Sequence, residues 1–153
     1  MERTLVFLKP DSIQRRLAGR IIAQFEDKGL NIIAMKLMRV SPDLARRHYA
    51  EHIKKDWYQE LETFITGGPI VAMILEGPEA IRVVREMVGA TNGLTAVPGS
   101  IRGQFSSSRQ MNLVHASDGP DSALREIGIF FDTEEIHSYE PTIRPWLRAP
   151  TEE

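Results

Sequence analysis

Two kinds of pattern follow each other along this chain: short unbroken apolar runs, and longer stretches with an apolar residue every three or four positions. Thr4–Lys9 (TLVFLK) is a run of the first kind, stopped by Pro10-Asp11, and predicts a buried strand. Leu17, Ile21, Ile22 and Phe25 recur at helical spacing, with Gly29 as the C-terminal stop. Leu30–Val40 (LNIIAMKLMRV) alternates in part and predicts a second strand. Ser41 is a good N-cap with Pro42 in the first turn, so helical material is expected through Tyr49 and again from Trp57 to Ile65. Gly67-Gly68-Pro69 breaks it, and Ile70–Leu75 (IVAMIL) predicts a central strand. A helix from Glu79 to Val88 then ends at Gly89.

From Ala90 to Met111 the periodicity fades. The segment holds Gly93, Pro98, Gly99, Gly103 and the run Ser106–Ser108, and irregular stretches of that length are usually functional or mobile. Asn112–Ala116 predicts a short strand, and Asp118-Gly119 opens a helix through Leu124 and Ile127. Pro141, Pro145 and Pro150 predict an extended surface tail over 141–153. The order of elements is a double βαβ plan, a sheet covered by helices on one face. No repeat or boundary divides the 153 residues, so one domain over 1–153 is expected.

Composition narrows the function more than the fold. The net charge of −2 gives no general attraction to nucleic acid or to an anionic membrane. The absence of cysteine excludes disulfides, thiolate nucleophiles and cysteine-based zinc sites. The N-terminus does not read as a signal peptide and no apolar stretch is long enough to span a bilayer, so a cytoplasmic location is expected.

Three groups of residues could carry chemistry. The first is His115, at a strand end, followed by Ser117 and Asp118 and, on the next helix, Glu126. An isolated histidine there is more often a packed bystander. A nucleophilic imidazole, however, needs one nitrogen free and the other held by an acceptor, and Glu126 is such an acceptor. The second group is cationic: Lys9, Arg85 and Arg102, with His52 as a further candidate. Phosphoryl transfer needs several donors converging on one anion, although any one of these alone reads as ordinary surface charge. The chain has no GxxxxGK[ST] and no GxGxxG, so a phosphate site must be built from side chains. The third group is aromatic: Tyr49, Trp57 and Tyr58, where a base could stack on a ring, although Tyr58 reads as helix packing.

These residues sit in blocks that together resemble the nucleoside diphosphate kinase family. The blocks are TLVFLKPDSIQRRLAGRII near the start, HYAEH at 48–52, GGPIVAMILEG at 67–77, ATN at 90–92, PGSIRGQF at 98–105, and NLVHASD with Glu126 beyond it. The resemblance runs from Arg3 to about Trp146. It implies an α+β fold, a ferredoxin-like double βαβ sandwich with an antiparallel sheet covered by helices, extra helices and an extended C-terminal tail. It also implies transfer of the γ-phosphate of a nucleoside triphosphate, typically ATP, to a nucleoside diphosphate, with little base discrimination and by a ping-pong route through a phosphohistidine.

On that resemblance His115 is the phosphorylated residue, Glu126 holds its other ring nitrogen, and Ser117 supports Glu126 or the histidine site. Lys9 contacts the ribose hydroxyl and the transferring phosphate, Tyr49 assists Lys9, and Asn112 contacts the ribose. Arg85, Thr91, Arg102 and His52 hold phosphates. Trp57 stacks on the base, where the family more often has Phe, and Leu61 lines that slot. Mg2+ arrives with the nucleotide, held mainly by phosphates and water, with Asp118 as the one protein ligand at most. The expected partners are nucleoside di- and triphosphates and further copies of the chain, a hexamer first and a tetramer as the alternative. No membrane and no obligate nucleic acid are expected.

The chain departs from the family pattern at Ala116, usually Gly, at Gln110-Met111, usually Gly-Arg, and at Arg109, usually small and apolar. Gly93 stands for a common proline and Gln104 for a common acid. Two rival readings are a nucleotide-sensing module without activity and a single-stranded nucleic-acid binder. The first normally lacks the histidine or its supports, all present here. The second calls for aromatic strands and a basic face, and these strands are aliphatic. A third reading adds to the enzyme a second role, phosphate transfer from His115 to a partner protein, which the sequence does not exclude.

Overall fold

The computed structural model describes residues 1–152. Glu153, the last residue of the expected tail, lies outside the described residues. Four strands, β1 (Glu2–Leu8), β2 (Asn31–Arg39), β3 (Pro69–Gly77) and β4 (Val114–Ala116), form one sheet in the order β2-β3-β1-β4. Every neighbouring pair is antiparallel. β1 therefore runs parallel to β2 with β3 between them, and β3 runs parallel to β4 with β1 between them. This is the ferredoxin-like plan of two interleaved βαβ units.

The crossovers are α1 (Pro10–Gln14) with α2 (Ala18–Asp27) in the first unit, and α5 (Ala80–Val88) with α6 (Ile101–Phe105) in the second. Three further helices complete the chain: α3 (Pro42–His48), α4 (Tyr58–Thr66) and α7 (Pro120–Phe130). The expectation of helices on one face needs correction. Val6, Leu8, Met73 and Leu75 pack with Ile21, Phe25, Val84 and Val88 of α2 and α5 on one face. Leu5, Phe7, Ile70, Ala72 and Ile74 pack with Ala45, Ile65 and Phe130 of α3, α4 and α7 on the other. The crossovers cover the first face, as right-handed βαβ connections must. The helices between β2 and β3, and after β4, cover the second. Burial on both faces is why β1 and β3 read as continuous apolar runs rather than as alternating ones.

Local sequence sets several element ends. The Ser41 hydroxyl accepts from the Leu44 N–H at 3.1 Å and caps α3. Gly29 sits at φ +87 behind α2, where a side chain would be strained. Four boundaries differ from the sequence reading. Lys9 is not the end of β1 but the N-cap of α1, because proline is favoured in a first helical turn. The segment 90–111 is not wholly irregular: Ser100 accepts from the Gly103 N–H at 3.1 Å and caps α6, which carries Arg102. β4 is shorter than expected because Leu113 lies at φ +74, outside the strand region. The tail is exposed as expected, Trp146 above all, but coils into short 3-10 turns at Arg144–Trp146 and Pro150–Glu152. Among the described residues no helix is long and apolar enough to cross a membrane.

Candidate active site

β4 pairs with β1 so that His115 lies opposite Phe7. Val114 and Ala116 point into the core under α2 and α5, so the intervening His115 points to the other face, towards α7 and α3. Its ring stacks on Phe7 at 4.7 Å between centroids and meets the edge of His48 at 4.5 Å. Nε2 of His115 lies 2.8 Å from Oε2 of Glu126 on α7. The Ser117 hydroxyl donates to the same carboxylate oxygen at 2.7 Å. Glu126 and Ser117 are buried, whereas the His115 side chain keeps 21% of its exposure. The carboxylate fixes the tautomer with the proton on Nε2, which leaves the Nδ1 lone pair uncommitted.

The ring borders a cleft of about 680 Å3 lined by Lys9, Tyr49, His52, Arg85, Thr91, Arg102, Asn112, Asp118 and Glu126. An adjoining slot of about 610 Å3 shares Lys9, Tyr49, His52, Thr91, Asn112 and His115, and adds Trp57, Leu61 and Arg109. Every site residue expected from the sequence therefore lines one or both spaces except Ser117, which stands behind Glu126, where it acts on the carboxylate and not on the ring. A larger depression of about 880 Å3 along α5 sets Arg82 and Arg85 among the four carboxylates of Glu2, Glu79, Glu86 and Asp118, and lacks His115.

The cations are held before any ligand arrives. Lys9 Nζ donates to Asn112 Oδ1 at 2.7 Å, and the Asn112 amide donates to the carbonyls of Thr91 and Arg109, both at 2.9 Å. Burial, with the Arg102 charge as the second cause, lowers the Lys9 pKa to about 8. Arg102 donates to the carbonyls of Gly89 at 3.0 Å, Asn112 at 3.1 Å and Val114 at 2.7 Å, which locks the guanidinium; burial lowers its pKa to about 10. Arg85 reaches the Ala116 carbonyl at 3.3 Å. Lys55 Nζ, which has no lone pair, donates to Nδ1 of His52 at 2.9 Å. The Tyr49 phenol is held protonated by burial and then by the Glu126 charge. Trp57 is 47% exposed, with His52 at 5.2 Å on its ring, so it presents an aromatic surface to the slot.

Several residues of this site escaped the sequence reading. Asp11 Oδ2 accepts from the Leu113 N–H at 3.1 Å, the Leu113 carbonyl accepts from the Lys9 N–H at 2.8 Å, and it also accepts from the Ser12 hydroxyl at 2.6 Å. These bonds hold a buried leucine in the left-handed region, at a cost of about 1–3 kcal/mol. The turn at Leu113 separates Asn112 from β4 while both remain at the cleft. Pro10-Asp11-Ser12 was legible as a strand stop but not as the clamp on a residue a hundred positions away. Arg125 also lines the cleft, with Nη2 3.7 Å from Glu126 Oε1. His48 is buried against His115 and was likewise missed.

Of the rim carboxylates Glu51, Asp118 and Asp121, Asp118 is the one expected from the sequence to meet a hard cation. The Ser122 hydroxyl donates to it at 2.5 Å and holds its pKa down, so it stays ionised. A single rim oxygen donor fits a cation that comes with most of its ligands already supplied by phosphate and water.

A mostly buried imidazole with one nitrogen beside a buried carboxylate faces a cleft of locked cations on a ferredoxin-like sandwich, an arrangement chemically suited to phosphoryl transfer. Comparison with known proteins agrees. The family model for nucleoside diphosphate kinase matches residues 2–136. The nucleoside diphosphate kinase of Rhodopirellula baltica is 57% identical over 152 residues, covering 99% of this chain and 100% of that one. That of Methanothermobacter thermautotrophicus is 52% identical over 140 residues, covering 92% and 93%. Among solved structures, the Halobacterium salinarum nucleoside diphosphate kinase in complex with CDP superposes with a TM-score of 0.94 at 43% identity, covering 96% of this chain and 98% of that one. The chain belongs to the nucleoside diphosphate kinase family, and its activity is that family's transfer of the γ-phosphate from a nucleoside triphosphate to a nucleoside diphosphate through a phosphohistidine.

Proposed function

We propose that His115 is the residue phosphorylated in this cycle and that its Nδ1 is the attacking atom. The observation that carries the reading is the bond between Nε2 of His115 and the buried Glu126, which leaves Nδ1 as the free nitrogen beside the cationic cleft. Nδ1 attacks the γ-phosphorus, a nitrogen–phosphorus bond forms, and the bond to the β-phosphate oxygen breaks to release a nucleoside diphosphate. The phosphorylated ring gains positive charge, which the Glu126 carboxylate stabilises through the Nε2 proton. In the second half, a β-phosphate oxygen of another nucleoside diphosphate attacks the same phosphorus and the nitrogen–phosphorus bond breaks.

Lys9, Arg85 and Arg102 stabilise charge on the phosphate oxygens, with His52 and Thr91 as further donors. Asn112 and Lys9 hold the ribose, and the Tyr49 hydroxyl supports Lys9. Trp57 stacks on the base while Leu61 closes the slot; an aromatic face reads no base edges, which supports broad specificity. Mg2+ would be the divalent cation of the reaction, held mainly by the nucleotide phosphates and water with Asp118 as its one protein ligand at most, and it would supply neutralisation of the phosphate charge. A chain acting as one domain over 1–153 is supported by buried clusters on the two faces of a single sheet. Exposed apolar residues on β2, Met35 and Leu37, and in the 90–111 segment, Leu94 and Val97, support self-association, with a hexamer as the first reading. A cytoplasmic location fits a nucleotide-pool enzyme. Initial rates against both substrates test the reading: parallel double-reciprocal lines, abolished by His115→Ala, are the result expected.

A further inference from the structure

We infer that His48, His115 and Glu126 form a binding site for a transition-metal ion of the zinc class, and that its occupation switches the nucleophile off. One ligand atom from each of the three lies within 4.8 Å of the other two. His48 supplies the second, independent observation. It is 95% buried, and among the described residues neither of its ring nitrogens meets a hydrogen-bond partner. Buried imidazole nitrogens are normally satisfied. This one lies edge to face against His115, with Tyr49 at 4.4 Å and Phe7 at 5.3 Å completing an aromatic box.

The donor set selects the ion. Two imidazoles and one carboxylate suit zinc, with a water or another small ligand as the fourth partner. Zinc–ligand bonds of about 2.0–2.2 Å place tetrahedral ligands roughly 3.3 Å apart. The triad thus closes by side-chain shifts on the order of 1.5 Å at most, within reach of rotamer adjustment. Glu126 already accepts from Ser117, the outer hydrogen bond that metal-ligating carboxylates usually have. The surroundings are cationic: Lys9, Arg85, Arg102 and Arg125 all line the same cleft. A hard ion attracted by charge gains nothing there, so magnesium is disfavoured, whereas an ion held by imidazole lone pairs is not. Zinc on Nε2, the nitrogen beside Glu126, displaces the proton held there; the neutral ring then carries its proton on Nδ1, which has no lone pair left to offer a phosphorus.

The inhibitory consequence rests on His115 as the phosphorylated residue; the binding does not. Equilibrium dialysis of the nucleotide-free protein against zinc chloride should give one ion per chain. His48→Phe keeps the aromatic packing, and Glu126→Gln keeps the carboxylate's shape; each removes one of three protein ligands and should weaken binding by more than the roughly 10–100-fold that loss of an outer hydrogen-bond partner costs. His137→Gln, at a position whose backbone bonds Ile33 on β2 at the sheet edge opposite β4, should not change it. Protein washed after zinc loading should resist labelling by γ-labelled ATP, and a chelator should restore it. Failure to bind zinc, or binding unchanged in His48→Phe with its circular dichroism intact, would overturn the site. Labelling that proceeds on zinc-loaded protein overturns the switch. Protein that is never labelled even without zinc refutes the nucleophile assignment alone, since the dialysis still decides the site.

Discussion

Nε2 of His115 and Oε2 of Glu126 stand 2.8 Å apart, joined from a strand and a helix eleven residues apart in the chain. The contact sets which ring nitrogen is free and supplies the charge that stabilises the ring once it is phosphorylated. Glu126→Gln keeps the shape and loses the charge. It should lower kcat about 10²–10³-fold, the usual loss for one preorganised electrostatic group, with little change in KM. Steady-state kinetics on the folded variant check this, and an unchanged kcat would remove Glu126 from the mechanism.

Lys9 gives the pH dependence. Its pKa in the nucleotide-free protein is lowered from 10.5 to about 8, first by burial. The charged form binds phosphate, so kcat/KM should fall as pH rises through about 8. Stability should move the other way. Between about 8 and 10.5 the unfolded chain holds the proton that the native lysine has lost, so this group adds stability as pH rises across that window. Rate profiles and thermal midpoints of the nucleotide-free protein read the two trends separately.

Trp57→Ala should weaken binding of every nucleotide by about 1–3 kcal/mol, the value of one base–aromatic stack. The loss should be similar for purines and pyrimidines. Dissociation constants for ADP, GDP, CDP and UDP measure it, and a loss confined to one base contradicts stacking.

Ala116→Gly restores the residue most common in the family beside the histidine. Ala116 is a strand residue paired with Val6, is not among the positive-φ positions, and its methyl is buried. Glycine is therefore not required there. The substitution should cost about 1 kcal/mol in chemical denaturation, from backbone entropy and the lost methyl, and leave kcat unchanged.

Much of this was legible because it is local. Apolar runs marked β1, β2 and β3; Ser41 with Pro42 marked the start of α3; and the resemblance carried by NLVHASD with Glu126 beyond it implied that one ring nitrogen is held. What was not legible depends on distant partners. The five-residue α6 has no room for a periodic pattern, and only the Ser100 cap announces it. Covering of the second sheet face depends on where α3, α4 and α7 pack, which periodicity does not state. The clamp of Asp11 and Ser12 on Leu113 spans about a hundred residues. Gly93 read as a departure from proline. Its N–H donates to the Ser108 carbonyl at 3.1 Å, a bond proline cannot make, and an added Cβ would meet the Ser106 carbonyl oxygen at 2.3 Å.

The central claim is that the Nδ1 of His115 carries the phosphoryl group. Protein incubated with γ-labelled ATP and no acceptor should gain one acid-labile, base-stable label per chain, mapped to the His115 peptide and discharged by added nucleoside diphosphate. Label mapped to any other residue, or full turnover in His115→Ala, would contradict it.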